Sequence, residues 1–157
     1  MESNLLKLNL RRNPSHLEGY STVDFSELEV TPWPWPSGSV GEIRLNTVLN
    51  YISNNRLYYD IVKELYRVCA PEALIYINAV HPEHPLYYQD SKYVRPITAK
   101  LLFELNKDPK VIEGKIISLP PAHWLDVDFV MLQNLEFSDP SGAVYENQFI
   151  LKARKTI

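Results

Sequence analysis

The hydrophobic positions change period several times along the chain, and each change marks an element. Leu5-Leu6-Lys7-Leu8-Asn9-Leu10 is a short apolar run with an alternating tail, closed by Arg11-Arg12-Asn13-Pro14; it predicts a first strand entering a loop. Residues 20–25, rich in β-branched and aromatic side chains and ending around Asp24, predict a second strand. Residues 31–38 place three prolines between and around Trp33 and Trp35, and because proline lacks the N–H a ladder needs, this is a stiff aromatic loop. Residues 39–45 alternate with period two and predict a third strand, after which 48–52 turn towards a helix. Between 56 and 69, Leu57, Ile61, Leu65 and Val68 recur at helical spacing, widened by Tyr58, Val62 and Cys69. Asn54 or Asn55 can cap that helix, and Pro71 lies beyond its end. Residues 73–80 are nearly all apolar, as in a central strand covered on both faces. A second helix is predicted from Pro96, turning Ile97, Leu101, Leu102 and Leu105 inward. Strands over 127–137 and 148–154, joined by the turn sequence Ser138-Asp139-Pro140-Ser141-Gly142, complete the pattern.

Strands alternating with helices and closing on an antiparallel pair predict an α/β domain over residues 1–157. Its sheet is mostly parallel, Rossmann-like, with helices on both faces. Ligands in such sheets bind beyond the carboxyl ends of the strands, where the strand order switches. That directs attention to the loop after the first strand, Asp24 and the loop after Val80.

Composition narrows the function classes. The 157 residues are 45% hydrophobic and 22% charged, enough for one core. Lys and Arg total 16 against 19 acidic residues, a net charge of −3 with no basic cluster, which argues against nucleic acid as a ligand. Cys69 is the single cysteine, so no internal disulfide or cysteine-based zinc site can form. No basic segment precedes a long apolar run, and the expectation is a cytoplasmic protein that does not meet the membrane. Five glycines fall under the usual share of about 7%.

The segments LKLNL, EGYSTVDF, TPWPWPSGSVGEIRLNTVLNYI, DIVKELYRVCAPEALIYI and HPEHPLYYQDSKYVRPIT, roughly residues 5–107, resemble in order the class I methyltransferases that use S-adenosylmethionine. The likeness is to the small bacterial type with short connections between the first strands. It implies a Gly-x-Gly turn after the first strand, where only residues without side chains let the backbone pass close to the cofactor. Arg11 and Asn13 stand in place of those two glycines. It also implies that Asp24, the acid ending the second strand, would accept the ribose hydroxyls, although turn chemistry alone accounts for an aspartate there. Where the family reads Ser-Val-Asp-Glu-Ile and His-Val-Leu-Glu-His, this chain has Gly41 in the first motif and Thr47, Asn50 and Tyr51 in the second; a Pro-Gly-Gly turn appears as Pro71-Glu72-Ala73. Framework positions survive while polar and glycine positions do not.

His81, Glu83, His84 and Asp90, with His123 farther on, contain metal-ligand chemistry, but two prolines break the helical geometry that would pair histidines, and no metal is expected. The resemblance places this loop over the substrate pocket, where His81, Asp90 and Arg95 would orient a substrate or position a proton acceptor. A solvated loop with Arg95 paired to Asp90 is the plainer reading. Trp33 and Trp35 suit stacking on an adenine or a proline-rich peptide, or covering a sheet edge. Tyr59, Lys63 and Tyr66 line the side of the secure helix opposite Leu57 and Val68, an interface composition unless the tyrosines border the core. Together these readings predict a methyltransferase-like pseudoenzyme: a non-catalytic subunit, without cofactor in isolation, that supports or activates a homologous, intact methyltransferase or assembles with itself. The alternative is a divergent active enzyme using S-adenosylmethionine on a small molecule or sugar.

Overall fold

The structure, a computed structural model, describes residues 5–11, 17–108, 110–118 and 120–155. Five of its six main strands and its long helix fall close to where the hydrophobic period puts them: β1 (Leu6–Arg11), β2 (Ser21–Asp24), β3 (Val40–Asn46), α2 (Asn55–Val68), β7 (Phe129–Ser138) and β8 (Val144–Ala153). β4 (Cys69–Val80) starts directly at the end of α2, four residues before the expected strand. The predicted helix from Pro96 begins later, as α4 (Ala99–Phe103), because Thr98 takes the cap and its hydroxyl accepts the Leu101 N–H at 3.2 Å. Three short helices, α1 (Phe25–Leu28), α3 (Pro85–Gln89) and α5 (Ala122–Leu125), and a small hairpin of β5 (Lys110–Ile112) with β6 (Lys115–Ser118) are too brief to leave a period in the sequence.

The main sheet runs β2-β1-β3-β4-β8-β7. β2, β1, β3 and β4 are parallel, and β8 pairs antiparallel with β4 and β7. The chain steps one way from β1 to β2 and the other way from β2 to β3 and β4, so the order switches between β1 and β3. Right-handed crossovers put the last two connections on the same face, and the connection from β1 to β2 on the opposite one. That first connection is residues 12–20.

The core follows from this asymmetry. Leu8, Ile43, Ile75 and Leu151 stand in register on one face, followed by Leu10, Leu45, Ile77 and Phe149, all at most 2% exposed. Leu28 of α1, Ile61 and Leu65 of α2, Leu102 of α4 and Leu125 of α5 join that same cluster. On the other face Glu42, Arg44, Leu74, Tyr76, Ile150 and Lys152 alternate with the core residues and are only half-buried. β4 is therefore central, and among the described residues the helices that join the core cluster pack on the face that carries Ile43 and Ile75.

Candidate functional site

The carboxyl ends of the parallel strands bring together Arg11, Asp24, Asn46 and Val80, with Arg11 in register between Asp24 and Asn46. A cavity of about 220 Å3 opens at the switch point between β1 and β3, lined by Asn9, Arg11, Arg44, Asn46, Tyr76 and Asn78. A second of the same size continues over the half-buried face and shares Arg44, Tyr76 and Asn78. Arg44 is the centre of both: its Nε donates to the Tyr20 hydroxyl at 3.0 Å, and its guanidinium lies 4.3 Å from the Tyr76 ring centre and 5.5 Å from that of Tyr20. Glu42 approaches the same Nε at 3.8 Å, and its Oε2 is buried without a hydrogen-bond partner. Thr47, immediately after β3, has φ 58°, an unusual conformation for a β-branched residue, held by its N–H to the Asn78 carbonyl and its hydroxyl to Asn46 Oδ1.

Sequence reasoning reached Arg11 but missed Arg44, Asn46, Tyr76 and Asn78. The available signal was the polar or amphipathic residue at alternate positions of β3 and β4, which the apolar character of 73–80 concealed. Asn13 lies outside the described residues. Asp24 is at the expected strand end, yet its Oδ2 accepts the Ser26 N–H at 3.3 Å and the Ser26 hydroxyl at 2.5 Å, while its own N–H donates to Glu27 Oε2 at 3.0 Å. This is a capping box that starts α1. The Ser26 bonds also hold the Asp24 carboxyl below the usual carboxylate range.

Other positions read from the family pattern have structural duties. Asn50 is fully buried: its amide donates to the Arg95 carbonyl at 2.9 Å, and its oxygen accepts the Val80 N–H at 3.1 Å. Its backbone carbonyl also accepts from Val94 and Arg95, so Asn50 rivets the end of β4 to the loop beyond it. Gly41 lies near the start of β3, away from the carboxyl edge, where an added Cβ would stand 2.9 Å from Leu5 Cβ. Its identity therefore reports packing against Leu5. Tyr51 packs on Tyr93 with ring centres 5.0 Å apart and the rings tilted by 36°.

The loop after β4 does not assemble His81, Asp90 and Arg95 into one cluster of mutual hydrogen bonds. His81 Nδ1 accepts from Glu83, and Asp90 accepts from Lys92. Arg95 donates to the Ile52 carbonyl at 2.9 Å and to Asn55 Oδ1 at 2.7 Å, over the Tyr58 ring, in place of the expected pairing with Asp90. Among the described residues no three His, Cys, Asp or Glu side chains stand close enough to hold a metal ion. Trp33 is buried, donating its indole N–H to the Leu28 carbonyl, and Trp35 meets it edge-on at 5.8 Å. On α2, Tyr59 meets Trp124 edge-on, and Tyr66 donates to the Arg154 carbonyl at 2.6 Å and packs on Phe129. Only Lys63 of that stripe is exposed. Cys69 is fully buried, which pushes its thiol up to about 12.

No protein-family profile and no curated protein sequence matches the chain. Solved structures do resemble it. A Haloferax volcanii assembly, the Trm112 methyltransferase activator with a putative methyltransferase, matches at TM-score 0.56 and 8% identity over 90% of this chain and 65% of the other. The Burkholderia thailandensis 1,6-didemethyltoxoflavin-N1-methyltransferase, seen with S-adenosylhomocysteine, matches at 0.54 and 12% over 88% and 52%. A putative S-adenosylmethionine-dependent methyltransferase from Listeria monocytogenes matches at 0.51 and 9% over 90% and 72%. The chain thus spans between about half and three quarters of the length of these structures. Among the described residues no helix is long and apolar enough to cross a membrane. The mixed sheet, its switch point and its antiparallel closing pair give this chain the Rossmann-like fold of the class I S-adenosylmethionine-dependent methyltransferases.

Proposed function

We propose that the chain is a non-catalytic methyltransferase-fold subunit, acting in the cytoplasm, that binds and supports a second, intact methyltransferase. The observation that carries this reading is Arg11. Its side chain lines the cavity at the switch point, where the fold's cofactor needs a residue without one. Asp24 supports the same reading, because its Oδ2 already takes two bonds from Ser26 in capping α1. Arg11 at this edge does not fit S-adenosylmethionine. A methyltransferase-fold neighbour found in complex with an activator gives the partner reading a precedent.

Calorimetric titration of the purified chain with S-adenosylmethionine and S-adenosylhomocysteine through the micromolar range tests the proposal. No heat of binding is expected. Micromolar binding by the chain alone would favour the alternative of a divergent active enzyme and send the work to a screen of small-molecule and sugar acceptors.

A further inference from the structure

A strand at the end of a sheet offers unpaired backbone groups to any other strand, and natural edges are blunted by brevity, lysine, proline, bulges or cover. The β2 edge is four residues long and runs straight into α1. The β7 edge, at the other end of the sheet, has ten residues with no lysine, arginine or proline and one charge, Glu136. Its first residue is covered: the Phe129 N–H donates to the Leu105 carbonyl at 2.9 Å, and the Phe129 carbonyl accepts the Asn106 amide at 2.9 Å. Beyond it, among the described residues, 130–138 pair with β8 alone, and Leu132 to Glu136 are all exposed. We propose that this edge is a homodimer interface, in which β7 pairs antiparallel with β7 of a second copy and joins the two six-stranded sheets into one. The pairing uses neither the cofactor edge nor a different protein, so it stands whether or not the subunit reading does.

Symmetry and charge select a second copy as the occupant. A strand paired antiparallel with itself is related by a two-fold axis, which satisfies both edges at once and closes the assembly. Register shifts at Leu132 and between Phe137 and Ser138 leave 133–137 as the longest unbroken run of the β7–β8 ladder. An axis through the middle of that run sets Leu135 against Leu135 of the second copy, Gln133 against Phe137, and Asn134 against Glu136. Each carboxylate then meets an amide, and Leu135, 42% exposed, gains an apolar cross-strand partner. Moving the axis to Glu136 would set the two carboxylates face to face, which is destabilising. With the axis at Leu135, residue 129 comes opposite residue 141. The 139–142 turn of the second copy then abuts the 105–106 segment beside Phe103, which is 58% exposed on the helix that packs against β7. Exposed apolar surface there extends the contact beyond the ladder itself.

Sedimentation equilibrium of the full chain through the micromolar range reads the dimer, and substitutions at the exposed Asn134 read its register. The parent should show a reversible monomer–dimer equilibrium. Asn134→Lys sets a lysine opposite Glu136 twice in each dimer and should tighten it roughly tenfold, whereas Asn134→Glu opposes carboxylates and should loosen it by a similar factor. Leu135→Cys should give a disulfide-linked dimer on mild oxidation, because directly opposed residues lie within the Cα separation of about 4.4 to 6.8 Å that a disulfide spans. Cys69 is fully buried and does not compete, and Lys63→Cys on α2 should not link. Circular dichroism melting like the parent's identifies the folded variants, and the tightening by Asn134→Lys remains decisive if Asn134→Glu does not fold. A parent that stays monomeric throughout overturns the proposal. A dimer indifferent to the charge at position 134 also overturns it, because such a dimer is held through another surface. So does a Leu135→Cys chain that stays unlinked, or that links to a different protein in extracts of the cells that make it.

Discussion

Asn50 and Glu72 show that the same kind of departure from a family pattern can mean opposite things. Asn50 looks like a lost acid, yet both ends of its buried amide are occupied, by the Arg95 carbonyl and the Val80 N–H. Asn50→Ala strands both backbone groups, each costing about 1 to 3 kcal/mol, so a loss of roughly 3 kcal/mol is expected in urea unfolding. A loss below about 1 kcal/mol would mean that water replaces the amide. Glu72 has φ 69° in the irregular start of β4, where the resemblance expects glycine. The left-handed conformation costs a non-glycine residue about 1 to 2 kcal/mol, and the exposed ion pair to Lys152 offsets at most about 1 kcal/mol of it. Glu72→Gly should therefore stabilise the chain by up to about 1 kcal/mol, seen as a rise of roughly 2 to 4 °C in Tm. A lower Tm would show that the ion pair outweighs the strain.

At the scale of elements, the secure helix α2 was legible because fourteen residues display their period, and its ends obey local chemistry. Asn54 accepts the Leu57 N–H at 3.1 Å, and Lys155 donates to the Cys69 carbonyl at 2.6 Å just past the helix end. The proline-tryptophan loop was legible as a loop, but its attachment was not: Glu64, which Arg67 holds from one turn on, accepts the Trp33 N–H from 31 residues away in sequence. The loop after β4 is pinned in the same long-range manner. His84 Nδ1 accepts the Leu86 N–H, so the ring proton is on Nε2, which donates to Asp139 at 2.9 Å in the β7–β8 turn. Bonds from Ser141 and then His84 lower the Asp139 carboxyl to about 2. A carboxyl lowered in the folded state stabilises above its unfolded value, near 4, and that contribution fades as pH falls towards about 2. Stability measured from pH 5 to 2 should therefore fall more steeply for the parent than for Asp139→Asn. Parallel curves would mean that the turn and its histidine contribute no linkage.

For the whole molecule, the mostly parallel sheet and its antiparallel closing pair could be read from the order of apolar runs, whereas the strand order β2-β1-β3-β4-β8-β7 could not. The site was legible at Arg11 for the same reason the fold was, since its place at the end of the first strand is fixed by the period of Leu8 and Leu10. Arg44 and Tyr76 came together only through registers between β3 and β4. The Arg11 layer of the site makes its own prediction. If Arg11 is what keeps the cofactor out, Arg11→Gly with Asn13→Gly should open the switch point, and calorimetry should detect S-adenosylhomocysteine binding where the parent shows none. A doubly glycine-substituted chain that stays silent, with an unchanged melting curve, would place the block beyond Arg11 and Asn13. The remaining candidate would be the rest of the connection between β1 and β2, residues 12–20.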